Sequence, residues 1–479
     1  MIYFKTLLLM FFLLFNMAKA QDLSENLKTG FDTITHEDVY NYCKKLSSNE
    51  FEGRLTGHEG YTKAANWAAS KFEEWKLNTI EERNGYLQSY SAPYSKINSA
   101  SMILILPEND TLKLQTANDF LPLGYCDKGE YNTEIIFVGW GISAPELNYD
   151  DYANIDVKGK VVMCFRGVPD KKDTLLTDHD QHRHRMKTAF EKGALGLLYI
   201  YPIVQANPNG DHIEGFMPSE ISEKVADKIL AEHNYTSASL KEKLLEEKKP
   251  YSFTLSTHIN LKVDAEYFPD GIGYNIAGYV EGTDPELKNE CVIIGGHFDH
   301  CGEIAGHVFN GANDNASGSA VVMAIAEAYS KLEVKPKRSV IFVLFGGEEK
   351  GLRGSNFFAE NIPQQFTKVD AMFNFDMVGE GDATNYGCSL QDPKIKDVLL
   401  EADKQVGTLR QFFEIKNVGV RSSDFAPFYL KGASVAAFFS NGPHVYYHET
   451  GDTIYRINPD ILADITKVGL LSSYYWADR

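Results

Sequence analysis

Beyond its first twenty residues, the sequence has no long apolar run, no CxxC pair, no GxSxG motif and no excess of basic residues. The lack of a further apolar run argues against stable insertion of a helix into a membrane. The lack of closely spaced cysteines argues against a tight disulfide framework, although pairing among the six scattered cysteines stays open in an exported protein. Without GxSxG, a serine hydrolase is disfavoured.

The charge balance is strongly acidic. The chain of 479 residues has 47 basic and 66 acidic side chains, a formal net charge of −19. Such a surface argues against nucleic acid and anionic lipid as partners. The hydrophobic share of 43% and charged share of 24% are typical of a globular protein, and the length predicts about two to three domains.

The first twenty residues have the pattern of a signal peptide. Lys5 is followed by the apolar run 7–15, and Ala18-Lys19-Ala20 is a small-x-small cleavage pattern. The run is too short to span a bilayer, and an uncleaved anchor or a buried first helix is the alternative. We therefore expect export, with a secreted or periplasmic mature protein after cleavage near Ala20. Removal of two lysines would give 45 − 66 = −21.

After about Leu255, apolar strand-like runs alternate with helical segments. This alternation predicts an α/β fold with a mostly parallel sheet covered by helices, in which ligands bind at the carboxyl ends of the strands. The strand candidates are Val292–Ile294, Ser339–Phe345, Ala371–Phe375 and Ala433–Phe439. The helix candidates include Ala316–Lys331, Asp397–Val406 and a last helix that Asn458 caps, from Pro459 to about Trp476.

Residues 118–255 differ from their surroundings, with short strands, turn signals and one helix near Met186–Lys192. Through VGWGI, KGKVV and EKGALGLL this stretch resembles a protease-associated domain, a β-rich insert that in exported peptidases shapes access to a neighbouring active site. We therefore expect residues 21–117 and 256–479 to form one domain, interrupted by this insert. The segment DHDQHRH, 178–184, could hold a metal ion, but Arg183 and Arg185 favour a solvated loop.

Each later strand candidate ends in residue types that bind divalent metals. His nitrogen and carboxylate oxygen suit zinc, and the carboxyl ends of neighbouring parallel strands meet at one edge of the sheet. These residues are His297, Asp299, His300, Asp314, Glu348, Glu349, Asp376, His444, His448 and Asp452. The sequence therefore predicts a metal site at this edge.

The adjacent carboxylates Glu348 and Glu349 can take different roles. Successive residues point in different directions, so one carboxylate can bind metal while the other takes a proton from the attacking water. A lone pair of glutamates is more often a solvated turn. Here the pair follows a buried strand and two glycines, which favours the functional interpretation.

Five motifs in order resemble the zinc metallopeptidase family of bacterial leucyl aminopeptidases and glutamate carboxypeptidase. They are GGHFDHCG, FNGANDNASG, GGEEKGLRGS, FNFDMVG and YYHETGDT, between Cys291 and Thr453. The resemblance implies a zinc exopeptidase-like fold and two Zn²⁺ ions bridged by Asp314. One ion would also bind His297 and Asp376, and the other Glu349 and His448.

The resemblance also implies catalytic roles. Glu348 would be the general base and later the general acid, Asp299 would orient His297, and Tyr447 would donate a hydrogen bond to the oxyanion. A cis peptide bond is expected after Asp314. The sequence departs from the family at Phe425, where many relatives have His. His300 and His444 are interpreted as residues that support the ligands or line the pocket, and Asp452 as a residue that holds His448 or its loop. His307 is interpreted as a loop residue and Cys301 as a loop or core residue.

The resulting prediction is an exported dizinc exopeptidase acting on peptides, most simply an aminopeptidase. A carboxypeptidase or dipeptidase would need a basic pocket, for which Arg353, Arg410 and Arg421 are candidates. A glutaminyl cyclase is disfavoured by the complete double-metal ligand set. A receptor that has lost catalysis should lack ligands or Glu348, and none of these is missing.

Overall fold

The computed structural model describes residues 23–80, 85–107, 110–170, 172, 174–381, 385–390, 392–406, 411–414 and 422–479. The predicted signal peptide lies outside these residues. Within the described ranges, no helix combines the length and the apolar character needed to cross a membrane. Five cysteines, Cys43, Cys126, Cys164, Cys291 and Cys301, are buried free thiols.

A central sheet carries the predicted strands. Its nine strands in the described part of the chain are Asn78–Thr79, Leu87–Ser91, Ile272–Val280, Glu290–His297, Ser339–Phe345, Lys368–Phe375, Asn385–Leu390, Gln411–Glu414 and Ser434–Ser440. The four strands at its middle run parallel, in the order 339–345, 290–297, 368–375 and 434–440. The flanking pairings include antiparallel ones, so the sheet is mixed.

Helices cover both faces of the central sheet because its strands are apolar on both sides. Val292 and Ile294 pack into one core, with the helices Gly318–Lys331 and Pro459–Ala477. Cys291 and Ile293 face a second core on the other side. The remaining helices of four residues or more are Glu25–Phe31, His36–Leu46, Asn49–Arg54, Glu59–Glu74, Thr174–Thr177, His182–Glu191, Glu223–Leu230, Ser237–Glu247, Arg353–Glu360, Pro393–Val406 and Ala426–Leu430, with an irregular turn at Ala312–Ser317.

A second sheet lies beside the first and has its own core. Its ten strands among the described residues are Tyr94–Ile105, Thr111–Lys113, Phe120–Pro122, Gly129–Val138, Val161–Phe165, Gly196–Tyr201, Ser219–Ser222, Ser252–Phe268, Gly302–Ile304 and His307–Phe309. The strands at 302–304 and 307–309 come from the loop that follows His297. The chain segment that carries predicted ligands is therefore tied to both sheets.

The predicted elements are confirmed with shifted ends. The last helix begins at Pro459, and the side chain of Asn458 accepts a hydrogen bond from the main-chain N–H of Asp460 at 3.0 Å. The helix predicted from Ala316 begins instead at Gly318. Its start is wrong by two residues because the preceding turn contains non-helical φ and ψ at Asp314 and Asn315.

Candidate metal centre

The four parallel strands deliver the predicted ligands to one edge of the central sheet. His297 ends one strand, Asp376 follows the next, and the Glu348–Glu349 pair and His448 lie on the loops after the other two. Asp314 lies in the irregular turn between the strand 290–297 and its following helix. The structure thus brings together all five residues predicted as metal ligands.

Asp314 lies between two ligand groups. Its Oδ1 is 3.3 Å from His297 Nε2, which is also 3.3 Å from Asp376 Oδ1. Its Oδ2 is 3.2 Å from His448 Nε2, which is also 3.0 Å from Glu349 Oε2. One carboxylate oxygen therefore faces each group, which is the arrangement that a bridging ligand between two metal ions requires.

The turn around Asp314 is fixed by a neighbouring carboxylate. Asp452 accepts hydrogen bonds from the main-chain N–H groups of Asn313 at 2.8 Å and Asp314 at 3.0 Å. The peptide bond between Asp314 and Asn315 is cis, as expected. The sequence predicts that Asp452 supports His448 or its loop, but its hydrogen bonds go to the turn that carries Asp314.

The ligand nitrogens and oxygens are arranged better for binding metal ions than for hydrogen-bonding to one another. His448 Nε2 is buried and makes no hydrogen bond of acceptable geometry, although two carboxylate oxygens lie within 3.2 Å of it. His297, Asp314 and Asp376 form one group whose ligand atoms all lie within 4.8 Å of one another. Imidazole nitrogens and carboxylate oxygens at this spacing are the donor set of zinc.

The site concentrates negative charge in a buried place. Burial lowers the pKa of His297, yet Asp376 and then Asp299 and Asp314 raise it well above its ordinary value. Burial raises the pKa of Glu349, but His448 brings it down to about 2. Positive charge on the neighbouring histidines thus keeps the carboxylates ionised. Bound divalent cations would stabilise the carboxylates in the same way.

Glu348 differs from its neighbour Glu349. Burial raises its pKa well above the ordinary value, and Glu349 adds to this rise while His297 opposes it. Its side chain lines the same cavity as Glu349 and His448. A carboxyl group with a raised pKa beside metal ligands is suited to accept and return a proton.

Asp299 lies beside His297 and also contacts the loop of Glu348. Its Oδ1 lies 3.7 Å from His297 Nδ1, and the closer partner of Nδ1, at 3.2 Å, is the main-chain oxygen of Asp299. The carboxylate accepts hydrogen bonds from the N–H of Glu348 at 3.2 Å and the hydroxyl of Thr56 at 3.0 Å. Asp299 therefore positions the loop of Glu348 as well as neighbouring His297.

Tyr447 lies at the mouth of the site. Its ring stacks on the ring of His448 with centroids 3.9 Å apart, and the residue is 42% exposed. It lines the cavity that Glu348 and Glu349 also line. The phenol is thus within the region that a substrate would enter.

The second sheet holds the loop of His448. His448 Nδ1 donates to the main-chain oxygen of Ala206 at 2.7 Å, and the N–H of Ala206 donates to the main-chain oxygen of His448 at 2.8 Å. Gln205 Nε2 donates to the main-chain oxygen of Tyr447 at 2.9 Å. His448 has a positive φ of 57°, a strained conformation that these bonds hold. They also direct Nε2 towards Asp314, as expected for a ligand histidine.

A cavity of about 370 Å³ connects the two sheets at this point. From the second sheet and its loops, it is lined by Arg166, His182, Tyr201, Gln205, Asn207 and Glu220. The sequence alone assigns none of these residues a role beside the metal ligands. No local pattern identifies them, because they come from four separate segments that only the fold brings together.

The residues interpreted as supporting ones surround the ligands. His300 Nδ1 lies 2.9 Å from Glu349 Oε1, and Cys301 forms a buried group with His300, Glu349 and His448. His444 contacts Asn313 Nδ2 at 2.9 Å, next to the predicted bridge. His307 is remote, since its Nε2 lies 2.9 Å from Thr116.

The arginines predicted for a basic pocket do not line this cavity where they are described. Arg353 lies 3.4 Å from Asp211 and lines a separate, smaller cavity. Arg410 and Arg421 lie outside the described residues. Phe425 is buried in the core on the outer face of the central sheet, next to the buried Asp424, whose two carboxylate oxygens lack hydrogen-bond partners.

Comparisons with known proteins agree with the motifs. Residues 275–472 match the model of peptidase family M28. The chain is 33% identical over 173 residues to the leupeptin-inactivating enzyme 1 of Streptomyces exfoliatus, covering 36% of this chain and 37% of that protein. It is 28% identical over 221 residues to an aminopeptidase of Pseudomonas aeruginosa, covering 40% of this chain and 38% of that protein. The matches thus span less than two fifths of these curated relatives.

The fold extends the likeness to most of the chain. The structure of BSAP, a zinc aminopeptidase from Bacillus subtilis, superposes with a TM-score of 0.63 at 19% identity, covering 93% of this chain and 96% of that one. The mixed α/β architecture is therefore that of M28 aminopeptidase structures. The resemblance predicted from the five motifs is confirmed, because the stretch that contains them lies within residues 275–472, which match the family M28 model.

Proposed function

We propose that this protein is an aminopeptidase that binds two zinc ions and hydrolyses the first peptide bond of peptides. The observation that carries the proposal is the placement of Asp314, whose two carboxylate oxygens face two separate histidines at 3.3 and 3.2 Å. The printed names of the relatives, among them aminopeptidases and a zinc aminopeptidase, support the same activity.

Two ligand sets would hold the ions. His297 and Asp376 would bind one, Glu349 and His448 the other, and Asp314 would bridge them. When bound, two zinc ions polarise a peptide carbonyl and lower the pKa of water. Three carboxylates leave one net positive charge on two divalent ions, which favours negative charge developing on the substrate.

Glu348 would move the protons. Its carboxylate lies in the cavity but belongs to neither ligand set, so it is free to take a proton from the attacking water. The same group, once protonated, would return the proton to the leaving amine. The bond from the Glu348 N–H to Asp299 at 3.2 Å fixes the loop on which this side chain stands.

Tyr447 would bind the oxyanion formed when water attacks the carbonyl carbon. Its ring is held against His448, and its main-chain oxygen is held by Gln205. A phenolic O–H donates a hydrogen bond without becoming ionised. The charge of His448 lowers the pKa of Tyr447, but partial desolvation and the neighbouring carboxylates together raise it further.

The aminopeptidase interpretation is preferred over a carboxypeptidase for a reason of charge. A carboxypeptidase needs a free cation for the substrate's terminal carboxylate, and Arg353 is paired with Asp211 away from the cavity.

Residues 118–255 are proposed to form a protease-associated insert, whose segment 205–206 supports the site. Export stays a prediction.

Zinc content and a substrate panel test the proposal. We expect about two zinc ions per purified chain and release of 4-nitroaniline from leucine 4-nitroanilide. Peptides blocked at the amino terminus should resist hydrolysis, and peptides amidated at the carboxyl terminus should be cleaved. The opposite pattern would establish a carboxypeptidase.

Glu348→Gln is the control for chemistry. This change keeps the size of the side chain and both proposed ligand sets, so zinc content should stay at the wild-type level while hydrolysis falls by at least about 100-fold. Metal-free, inert wild-type protein would contradict the enzyme and favour a receptor-like relative.

A further inference from the structure

We propose that Glu220 binds an ammonium group of the peptide substrate in the cavity beside the metal ligands. The group could be the substrate's free α-amino group or the side chain of an amino-terminal lysine. This inference rests on the proposed aminopeptidase function and names the substrate chemistry of its cavity.

Glu220 is a buried carboxylate with one unused oxygen. It lies in the strand Ser219–Ser222 of the second sheet and has 0% exposure to solvent. Its Oε2 accepts a hydrogen bond from the N–H of Gln205 at 3.1 Å, and its Oε1 has no hydrogen-bond partner. A buried carboxylate without a partner is costly, so a bound cation that completes it would be stabilising.

Among the described residues that line the cavity, no Lys or Arg is placed to complete Glu220. Arg166 also lines the cavity, but its Nη1 lies 2.6 Å from both Tyr201 Oη and His182 Nε2. Its Nε lies 3.8 Å from Asp180 Oδ1. Among the described residues, no Lys or Arg forms an ion pair with Glu220. The cavity therefore favours a positively charged guest over a carboxylate.

Gln205 connects Glu220 to the loop that carries Tyr447 and His448. Its N–H binds Glu220, its side chain binds the main-chain oxygen of Tyr447, and the next residue, Ala206, binds His448. Glu220 is thus held at a fixed place relative to the proposed metal ions. A peptide whose first carbonyl lies at those ions would direct its amino-terminal residue into the cavity that Glu220 lines.

The protonation of Glu220 provides an independent readout. Burial raises its pKa to about 8, against the lowering effects of the Gln205 N–H and then of Arg166 and His448. The carboxyl group is therefore mostly protonated at pH 7 without a cation. An ammonium group favours the carboxylate form, so its binding should release close to one proton. The other titratable side chains near Glu220 are Tyr125 and Tyr201, which stay neutral at this pH.

Calorimetric binding of four amides tests the proposal. The probes are L-lysinamide, L-norleucinamide and the N-acetyl form of each, which separate the side-chain amine from the α-amine. They are titrated into zinc-loaded Glu348→Gln protein and into the same protein with Glu220→Gln. Because turnover is not measured, the result does not depend on the peptidase activity.

We expect Glu220→Gln to weaken at least one amine probe by about tenfold or more, as for a hydrogen bond between charged groups. Loss for both unacetylated amides assigns the α-amino group, and loss for both lysyl probes alone assigns the side chain. Binding of the affected probe at pH 7, repeated in buffers of different ionisation enthalpy, should release a proton only when Glu220 is present.

Two outcomes would overturn the proposal. One is unchanged affinity for every amine probe, and the other is an equal loss that includes N-acetyl-norleucinamide, which carries no ammonium group. Glu220→Gln keeps an acceptor for the Gln205 N–H and replaces a mostly neutral carboxyl group with a neutral amide of similar size, so the fold should be retained. Asp211→Asn is the matched control, because it removes a carboxylate outside this cavity and should leave all four affinities unchanged.

Discussion

Arg54 provides a stringent test of how the metal loops are held. Its side chain has 0% exposure and donates to four main-chain oxygens, those of Leu46 at 2.6 Å, Asn310 at 2.7 Å, Phe298 at 2.7 Å and Gly311 at 2.8 Å. The last three flank His297 and Asp314 in the chain. One guanidinium therefore joins the amino-terminal region to the segments that carry His297 and Asp314.

Arg54→Met should destabilise the protein by about 4 kcal/mol. The change removes four hydrogen bonds and leaves the main-chain oxygens of Leu46, Phe298 and Asn310 without this donor, at about 1 to 3 kcal/mol each, while Gly311 keeps a bond from the N–H of Ala316. The relief of removing a buried charge offsets part of this sum. Urea unfolding of the metal-free protein measures the loss, and zinc content after dialysis should fall with it. Arg54→Lys, which keeps the charge but has fewer donors, should lie in between.

Arg338→Met is the control for Arg54. Arg338 binds Glu290 at 2.8 Å at the start of a central strand, away from the proposed ligands. Its loss should leave zinc content unchanged. A free energy of unfolding for Arg54→Met within about 1 kcal/mol of wild type, with zinc retained, would refute this account of the loops.

Three further changes have defined outcomes. Gly346→Ala should prevent stable folding or abolish activity, because a β-carbon there would lie 1.9 Å from the Tyr61 hydroxyl oxygen. A variant that is folded by circular dichroism and fully active in kinetic assays would contradict this close packing. Burial raises the pKa of Asp151 from 3.8 to about 7. The stability that protonated Asp151 contributes is therefore present below about pH 4 and is lost as pH rises through 7, a decrease of about 4 kcal/mol in the free energy of unfolding. Urea unfolding across pH should show this decrease in wild type and not in Asp151→Asn, and identical pH profiles would contradict it. Gln205→Ala removes the hydrogen bond to the main-chain oxygen of Tyr447, beside the proposed ligand His448, and should weaken zinc binding by up to about tenfold in chelator competition. Asn207→Ala should not, because the Asn207 side chain contacts His182 within the loops of the second sheet. Equal effects would refute a specific role of Gln205 in zinc binding.

The sequence predicted the central strands well because their signals are local. Val292–Ile294 and Ser339–Phe345 are apolar runs of the length that a strand buried on both faces requires. Polar residues directly after such strands must lie at one edge of a parallel sheet. This geometry explains why His297, Asp376 and the two glutamates can be grouped from the sequence alone.

Contacts between distant segments could not be predicted in the same way. Ala206 and His448 are 242 positions apart, and their contact depends on the path of the whole second sheet. The resemblance assigns Asp299 to His297, and the fold adds hydrogen bonds from Thr56 and the Glu348 N–H to its carboxylate. Neither result follows from periodicity, since each requires the relative placement of separate elements.

Anomalous scattering at the zinc edge from crystals of the zinc-loaded protein tests the central claim most directly. Two peaks about 3.5 to 4 Å apart, one on each side of Asp314, are predicted. One peak should contact His297 and Asp376, and the other Glu349 and His448. A single peak, or two peaks that do not share the Asp314 carboxylate, would contradict the proposed dizinc centre.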